Sequence, residues 1–113
     1  MEIFTGIDII ELTRFDNLAD FRRVAEYILS PTELRLMDSS RDSRQFLASR
    51  FAAKEAIVKA LPGQATLADI EIENSGLKLV ARPMAPPLDK YKISLSITHS
   101  ELFAAAVAVV VSE

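Results

Sequence analysis

Two hydrophobic rhythms alternate along the chain. From Ile3 to Ile10 the pattern has the period of a strand, with Ile3, Ile7 and Ile9 on one face and Phe4 and Ile10 on the other. Apolar residues on both faces predict a buried strand. From about Glu11 to Asp38 the spacing becomes helical. Ser30-Pro31-Thr32-Glu33 is a capping box with proline at the first helical position, and it predicts a helix start. A second box, Asp42-Ser43-Arg44-Gln45, opens the longest predicted helix, which runs to about Leu61 and ends at Pro62-Gly63. Phe46, Leu47, Ile57, Val58 and the intervening alanines suit a helix buried along most of one side.

The period then returns to two. Asp69 to Glu73 and Leu77 to Val80 predict a short hairpin around Asn74-Ser75-Gly76, and Pro83, Pro86 and Pro87 predict an irregular loop. Tyr91, Ile93, Leu95 and Ile97 alternate with Lys92, Ser94, Ser96 and Thr98, which gives a strand with one apolar and one polar face. A tight connection near Ser100-Glu101 leads to Phe103–Val111, apolar on both faces. Its Ala104, Ala106 and Ala108 would let another backbone approach closely. The expected class is α+β: one domain over residues 1–113, an antiparallel sheet with helices packed on it and inserted after the first strand.

Composition narrows the chemistry. Thirteen basic against sixteen acidic residues give a net charge of −3, which argues against nucleic-acid binding through a basic face. The absence of cysteine removes disulfides, thiol nucleophiles and cysteine zinc sites, and a single histidine removes motifs that need two. The glycines (Gly6, Gly63, Gly76) stand too far apart for a P-loop or GxGxxG. The N-terminus lacks a basic n-region, and the run Leu102–Val111 is too short to cross a bilayer, so no membrane is expected and a cytoplasmic location is. A chain of 113 residues has one core and few walls, so a large ligand would need a second copy.

Several residues stand out, each with a plainer alternative. Asp8 sits among isoleucines where a strand disfavours acids, yet Asp8-Ile9-Ile10-Glu11 also has capping-box spacing. Glu55 and Lys59 have the i,i+4 order of an ordinary helical ion pair, but Ala48 and Ala52 on that face would leave room beside the carboxylate. Arg50 and Lys54 are a like-charge i,i+4 pair, repulsive unless an anion lies near them. His99 closes the apolar face of its strand, either as a core histidine or as a side chain reaching a cleft. Seven of the eight arginines (Arg14, Arg22, Arg23, Arg35, Arg41, Arg44, Arg50) precede residue 51 and permit a basic patch on an acidic protein; singly, each is an ordinary solvated arginine.

Three segments in order, Gly6-Ile7-Asp8-Ile9-Ile10-Glu11, Arg50-Phe51-Ala52-Ala53-Lys54-Glu55-Ala56-Ile57-Val58-Lys59-Ala60-Leu61 and Ser96-Ile97-Thr98-His99-Ser100, resemble the holo-acyl-carrier-protein synthase family of small 4′-phosphopantetheinyl transferases. The resemblance covers nearly the whole chain, and the second segment is its most specific part. It implies a cytoplasmic homotrimer with sites at subunit interfaces. The reaction moves phosphopantetheine from coenzyme A to a serine of apo-acyl carrier protein and releases 3′,5′-ADP. Asp8 and Glu55 match the family's magnesium-binding acids, and Lys59 a lysine near the reacting phosphate. His99 and Arg50 match residues at the coenzyme A phosphates, and Arg14 one that faces the acidic carrier protein, with Arg22 and Arg23 as further candidates.

A pyrophosphate under attack needs its charge spread over metal and cations, which suits this set. The general base is left among Glu55, Lys59 and a water on the metal. The carrier could serve fatty-acid or polyketide synthesis. The chain departs from the family after Leu61, where Pro62-Gly63-Gln64-Ala65-Thr66 replaces a glycine-rich turn. Proline removes an N–H donor, so this loop cannot reproduce a glycine-rich phosphate cradle, which bears on coenzyme A affinity and not on the metal site. The competing reading is a non-catalytic trimeric relative that binds an acidic carrier protein. The presence of Asp8, Glu55, Lys59 and His99 together favours the enzyme.

Overall fold

The computed structural model describes residues 1–16, 18–63, 65–75, 78–84 and 88–112. Five strands and three α-helices follow in the order β1 (Glu2–Glu11), α1 (Leu18–Ile28), α2 (Pro31–Asp38), α3 (Ser43–Ala60), β2 (Ile70–Ser75), β3 (Lys78–Pro83), β4 (Lys92–His99) and β5 (Phe103–Ser112). Short 3₁₀ turns cover Leu12–Phe15, Leu67–Asp69 and Leu88–Lys90. Both predicted boxes start helices. Ser30 accepts from the Glu33 N–H while Glu33 accepts from the Ser30 N–H, a full capping box at α2. At α3 only half of the box forms: Asp42 accepts from the Gln45 N–H, and the Gln45 side chain goes elsewhere.

The strands form two sheets rather than the single one expected. β1, β5 and β4 make an antiparallel sheet in that order, and β2 pairs separately with β3. The predicted hairpin forms, but Asn74 and Ser75 of the predicted turn are paired residues of β2, opposite Leu79 and Lys78. Gly76 of that turn and Leu77 of the predicted second strand lie outside the described residues, as do Pro86 and Pro87 of the predicted loop. Pro83 closes β3 opposite Ile70.

Register fixes the two faces of the larger sheet. Gly6, Ala108 and Leu95 form one row, Asp8, Ala106 and Ile97 the next, and Ile10, Ala104 and His99 the third. This face lies under α3, whose Ala48, Ala52, Ala56 and Ala60 are buried. Small residues on strand and helix let the layers close together, as the alanine face of β5 predicted. The tightest point is Gly6, where a Cβ would sit 1.9 Å from the Ala56 carbonyl oxygen. After α3 the chain turns at Gly63 with φ +111°, a conformation that favours glycine.

The opposite face corrects the expectation of a buried first strand. β1 is an edge strand, and its outer side chains Ile3, Ile7 and Ile9 are 60–70% exposed, beside exposed Val107 and Phe103 of β5. An apolar ribbon therefore runs along one side of the chain.

Candidate active site

Asp8 lies within β1 opposite Ala106, so it caps no helix, and the strand alternative is the one realised. Its carboxylate is largely covered, with 15% of the side chain exposed. Lys59 reaches down from α3 and donates to Asp8 Oδ1 at 3.0 Å and to the Ile7 carbonyl at 3.1 Å. The helical Glu55–Lys59 pair is therefore replaced by a strand-to-helix pair. Glu55, one helical turn before Lys59, has no ion-pair partner among the described residues. Ala48 and Ala52 do not open space beside it; both are fully buried in the core. Gly6 sets this geometry by allowing the helix backbone to touch the strand that carries Asp8.

A second group forms two strands away from Asp8, toward the N-terminal half of α3. His99, the last residue of β4, is exposed, and its Nδ1 lies 3.0 Å from Gln45 Nε2. It is thus a cleft residue and not a core one. Its cavity, about 250 Å³, is lined by Ser40, Arg41, Asp42, Gln45, Phe46, Ser49 and Arg50 besides His99. Phe46 stacks on the Arg50 guanidinium, with Cζ 4.6 Å from the ring centroid. From strand spacing and rise, the His99 and Asp8 backbones are about 12 Å apart. They cannot hold one phosphate oxygen between them, but they suit two ends of an extended polyphosphate ligand.

The anion that Arg50 and Lys54 require is internal. Glu33, fully buried, accepts from Lys54 Nζ at 2.6 Å through Oε1 and from the Ile72 N–H through Oε2, and Lys54 also donates to the Ile28 carbonyl. Arg50 Nε lies 3.4 Å from Glu33 Oε2, an ion-pair contact too poorly aligned for a hydrogen bond. Burial pushes both the Lys54 ammonium and the Arg50 guanidinium below their ordinary values, and Glu33 opposes the shift in each. Glu33, Lys54 and Gln45 escaped the sequence reading as site residues. The unsatisfied like-charge pair was the signal for Glu33, but its partner lies 21 residues upstream of Lys54.

Arg14 follows β1 in a 3₁₀ turn, its guanidinium 6.0 Å from the Phe51 ring centroid. With Ile10, Phe15, Asp20, Phe21, Val24 and Phe51 it lines a cleft of about 290 Å³. Arg22 is exposed and paired with Asp38 at 2.7 Å, so its charge is partly answered within the chain. Arg44 is likewise paired with Asp16.

A mixed fold with an acid–lysine pair between β1 and one end of α3, and an arginine–histidine cavity toward the other end of that helix, defines a class. The chain belongs to the 4′-phosphopantetheinyl transferase superfamily, whose family model matches residues 5–107. The curated relatives it matches are holo-[acyl-carrier-protein] synthases. That of Bacillus cereus (strain G9842) is 37% identical over 119 residues, covering 99% of this chain and 98% of its own. That of Moorella thermoacetica is 37% identical over 118 residues, covering 95% and 92%. Among solved structures, the Bacillus anthracis holo-(acyl-carrier-protein) synthase in complex with CoA (3′,5′-ADP) superposes with TM-score 0.82 at 33% identity, over 97% of this chain and 96% of that one. The Helicobacter pylori enzyme in complex with coenzyme A gives 0.82 at 31% identity, over 95% and 99%.

Proposed function

We propose that this chain transfers 4′-phosphopantetheine from coenzyme A to a serine of an apo-acyl carrier protein, with release of 3′,5′-ADP. The observation that carries the reading is the arrangement along α3. Its C-terminal half carries Glu55 and sets Lys59 on Asp8, and its N-terminal half presents Arg50 to the cavity that His99 lines. Coenzyme A has a pyrophosphate to be cleaved and further phosphate to be held, and two cation-bearing groups on one rigid helix answer both needs.

The residues fit a magnesium ion. Asp8, with only Oδ1 taken by Lys59, and Glu55, with no ion-pair partner among the described residues, have carboxylate oxygens to offer it and would be the protein's contribution. Magnesium is commonly held by one or two carboxylates, with substrate phosphates and water completing the shell. When bound, it supplies positive charge to the pyrophosphate oxygens. Lys59 spends two N–H donors on Ile7 and Asp8 and keeps the third for a phosphate oxygen. With its nitrogen donating, it has no lone pair to accept a proton; of the two remaining candidates, Glu55 is the one this chain itself supplies. The serine Oγ attacks the phosphorus that bears pantetheine and its proton passes to a Glu55 carboxylate oxygen. The bond to the bridging oxygen breaks, and 3′,5′-ADP leaves. Arg50 and His99 hold the nucleotide phosphates.

The carrier protein docks at the Arg14 cleft. Phe21 and Phe51 offer apolar contact and Arg14 a cation at its rim, which suits an acidic amphipathic surface. Arg22 and Arg23 lie further out. The apolar ribbon of Ile3, Ile7, Ile9 and Val107 supports a homotrimer, in which neighbouring copies cover it and complete the walls around coenzyme A. No helix among the described residues is long and apolar enough to cross a membrane. The test is mass spectrometry of an apo-acyl carrier protein incubated with this protein, coenzyme A and magnesium. The gain of one phosphopantetheine is expected; an unchanged carrier mass, with carrier binding retained, would leave the non-catalytic reading.

A further inference from the structure

Glu33 is fully buried although it takes no part in the reaction derived above, and it is the only carboxylate ion-paired with Arg50 among the described residues. Two cations share it. Lys54 Nζ takes Oε1 at 2.6 Å, and Arg50 Nε faces Oε2 at 3.4 Å. The nearby Glu71 accepts from the Ser30 hydroxyl at 2.6 Å and pairs with neither cation. Glu71 still acts on Lys54 at longer range, so Lys54 is answered by two carboxylates and Arg50 by Glu33 alone, in a site almost closed to water. Arg50 is 5% exposed, Nε is its only buried nitrogen without a hydrogen bond, and no protein acceptor takes its terminal nitrogens among the described residues. Arg50 also lines the His99 cavity. The side chain is thus fixed from behind by Glu33, flanked by the Phe46 ring, and free at its tip.

We infer that Glu33 is a positioning residue for coenzyme A binding: it aims the Arg50 guanidinium into the His99 cavity, while Lys54 balances its charge so that Arg50 stays available to a phosphate. A carboxylate facing Arg50 alone would compete with the ligand for the guanidinium. With Lys54 in hydrogen-bond contact, Glu33 holds Arg50 through a long, weak contact and directs it without capturing it. The inference rests on the transferase reading.

The plainer role is a tertiary staple, since the Glu33–Lys54 pair ties α2 to α3, β2 and the end of α1. Glu33→Gln alone would strand the buried Lys54 charge and is expected to fold poorly. The informative variant is Glu33→Gln with Lys54→Met. It removes both charges at nearly constant volume and leaves an amide oxygen to accept from the Ser30 or the Ile72 N–H group. Thermal unfolding, coenzyme A calorimetry and steady-state kinetics are measured on this double variant, on Arg50→Ala and on the triple variant. The double variant should unfold cooperatively but at a lower temperature than the wild type, because Arg50 loses its ion pair and the Ile28 carbonyl its donor. At a temperature where it is folded it should keep kcat and the KM for carrier protein within about twofold. Its Kd and KM for coenzyme A should rise about tenfold, as for one lost charge-assisted contact. The triple variant should bind no more weakly than Arg50→Ala.

A double variant with wild-type coenzyme A affinity overturns the inference and leaves the staple. So do losses that multiply in the triple variant, or losses that fall equally on both substrates. A wild-type chain that binds no coenzyme A overturns the transferase reading itself, and this inference with it.

Discussion

Gly6→Ala is the smallest perturbation that should disable the site without touching a reacting group. The added Cβ would lie 1.9 Å from the Ala56 oxygen and 2.9 Å from the Ala60 nitrogen, both backbone atoms of α3. No rotamer change relieves a clash with backbone. Real Cβ atoms do not approach closer than 3.0 Å, so helix and strand must part by roughly 1 Å at this point. Overpacking of this kind costs about 1–3 kcal/mol, and a helix pressed against the sheet along most of its length puts the cost at the upper end. For a domain of this size, 2–3 kcal/mol corresponds to a fall in Tm of roughly 10–20 °C.

The effect on rate should be larger than that on stability at a permissive temperature. Asp8 is two residues from Gly6, and its partner Lys59 adjoins Ala60. A displacement of about 1 Å between the strand's carboxylate and the helix's Glu55 and Lys59 is expected to lower kcat by ~10²-fold. The assay is denaturant unfolding paired with carrier-protein modification at 15 °C, where the variant stays folded. A Gly6→Ala protein with wild-type stability and rate would refute the reasoning, because it would mean that α3 does not rest on β1 at this glycine.

Asp8→Ala and Glu55→Ala should each abolish magnesium-dependent modification while leaving the fold intact by circular dichroism, and chelator should silence the wild type until magnesium or manganese is restored. A folded Asp8→Ala protein that keeps most of its rate would defeat the metal assignment. Light scattering at micromolar concentration should give the mass of three chains; a monomer would leave the ribbon of Ile3, Ile7 and Ile9 uncovered and the site without neighbouring walls. Arg14→Glu should raise the KM for carrier protein several-fold and flatten its salt dependence, with the KM for coenzyme A unchanged. Equal losses on both substrates would show that Arg14 supports the nucleotide site or the fold.

Periodicity and caps made the elements legible. The Ser30 and Asp42 caps open α2 and α3, and the Tyr91–Thr98 alternation becomes β4 with its apolar side inward. Asp8, Glu55, Lys59, Arg50 and His99 were all visible as residues, yet their grouping was not. Whether Lys59 pairs with Glu55 or Asp8 depends on the height of α3 above β1, which Gly6 sets and no helical spacing rule contains. Gln45 carries capping-box spacing, and only the fold diverts its amide to His99. The exposure of β1 was misread for a related reason: an apolar outer face looks the same in a sequence whether helices or neighbouring copies cover it. The β2–β3 hairpin was legible in local patterns, but that it stands as its own sheet and does not extend β1-β5-β4 was not.

The spatial order β1-β5-β4 differs from the order of synthesis. The central strand is the last of the five to leave the ribosome, and Asp8 meets its cross-strand neighbour Ala106 only after 97 intervening residues have been made. Until then β1 has no partner, α3 has no complete floor, and the acid–lysine pair has nothing to hold it in register. Activity therefore cannot precede the synthesis of β5, and a nascent chain arrested before Phe103 would display its apolar first strand bare. Closure by β5 joins the whole sheet at once, a long-range step that should limit the folding rate.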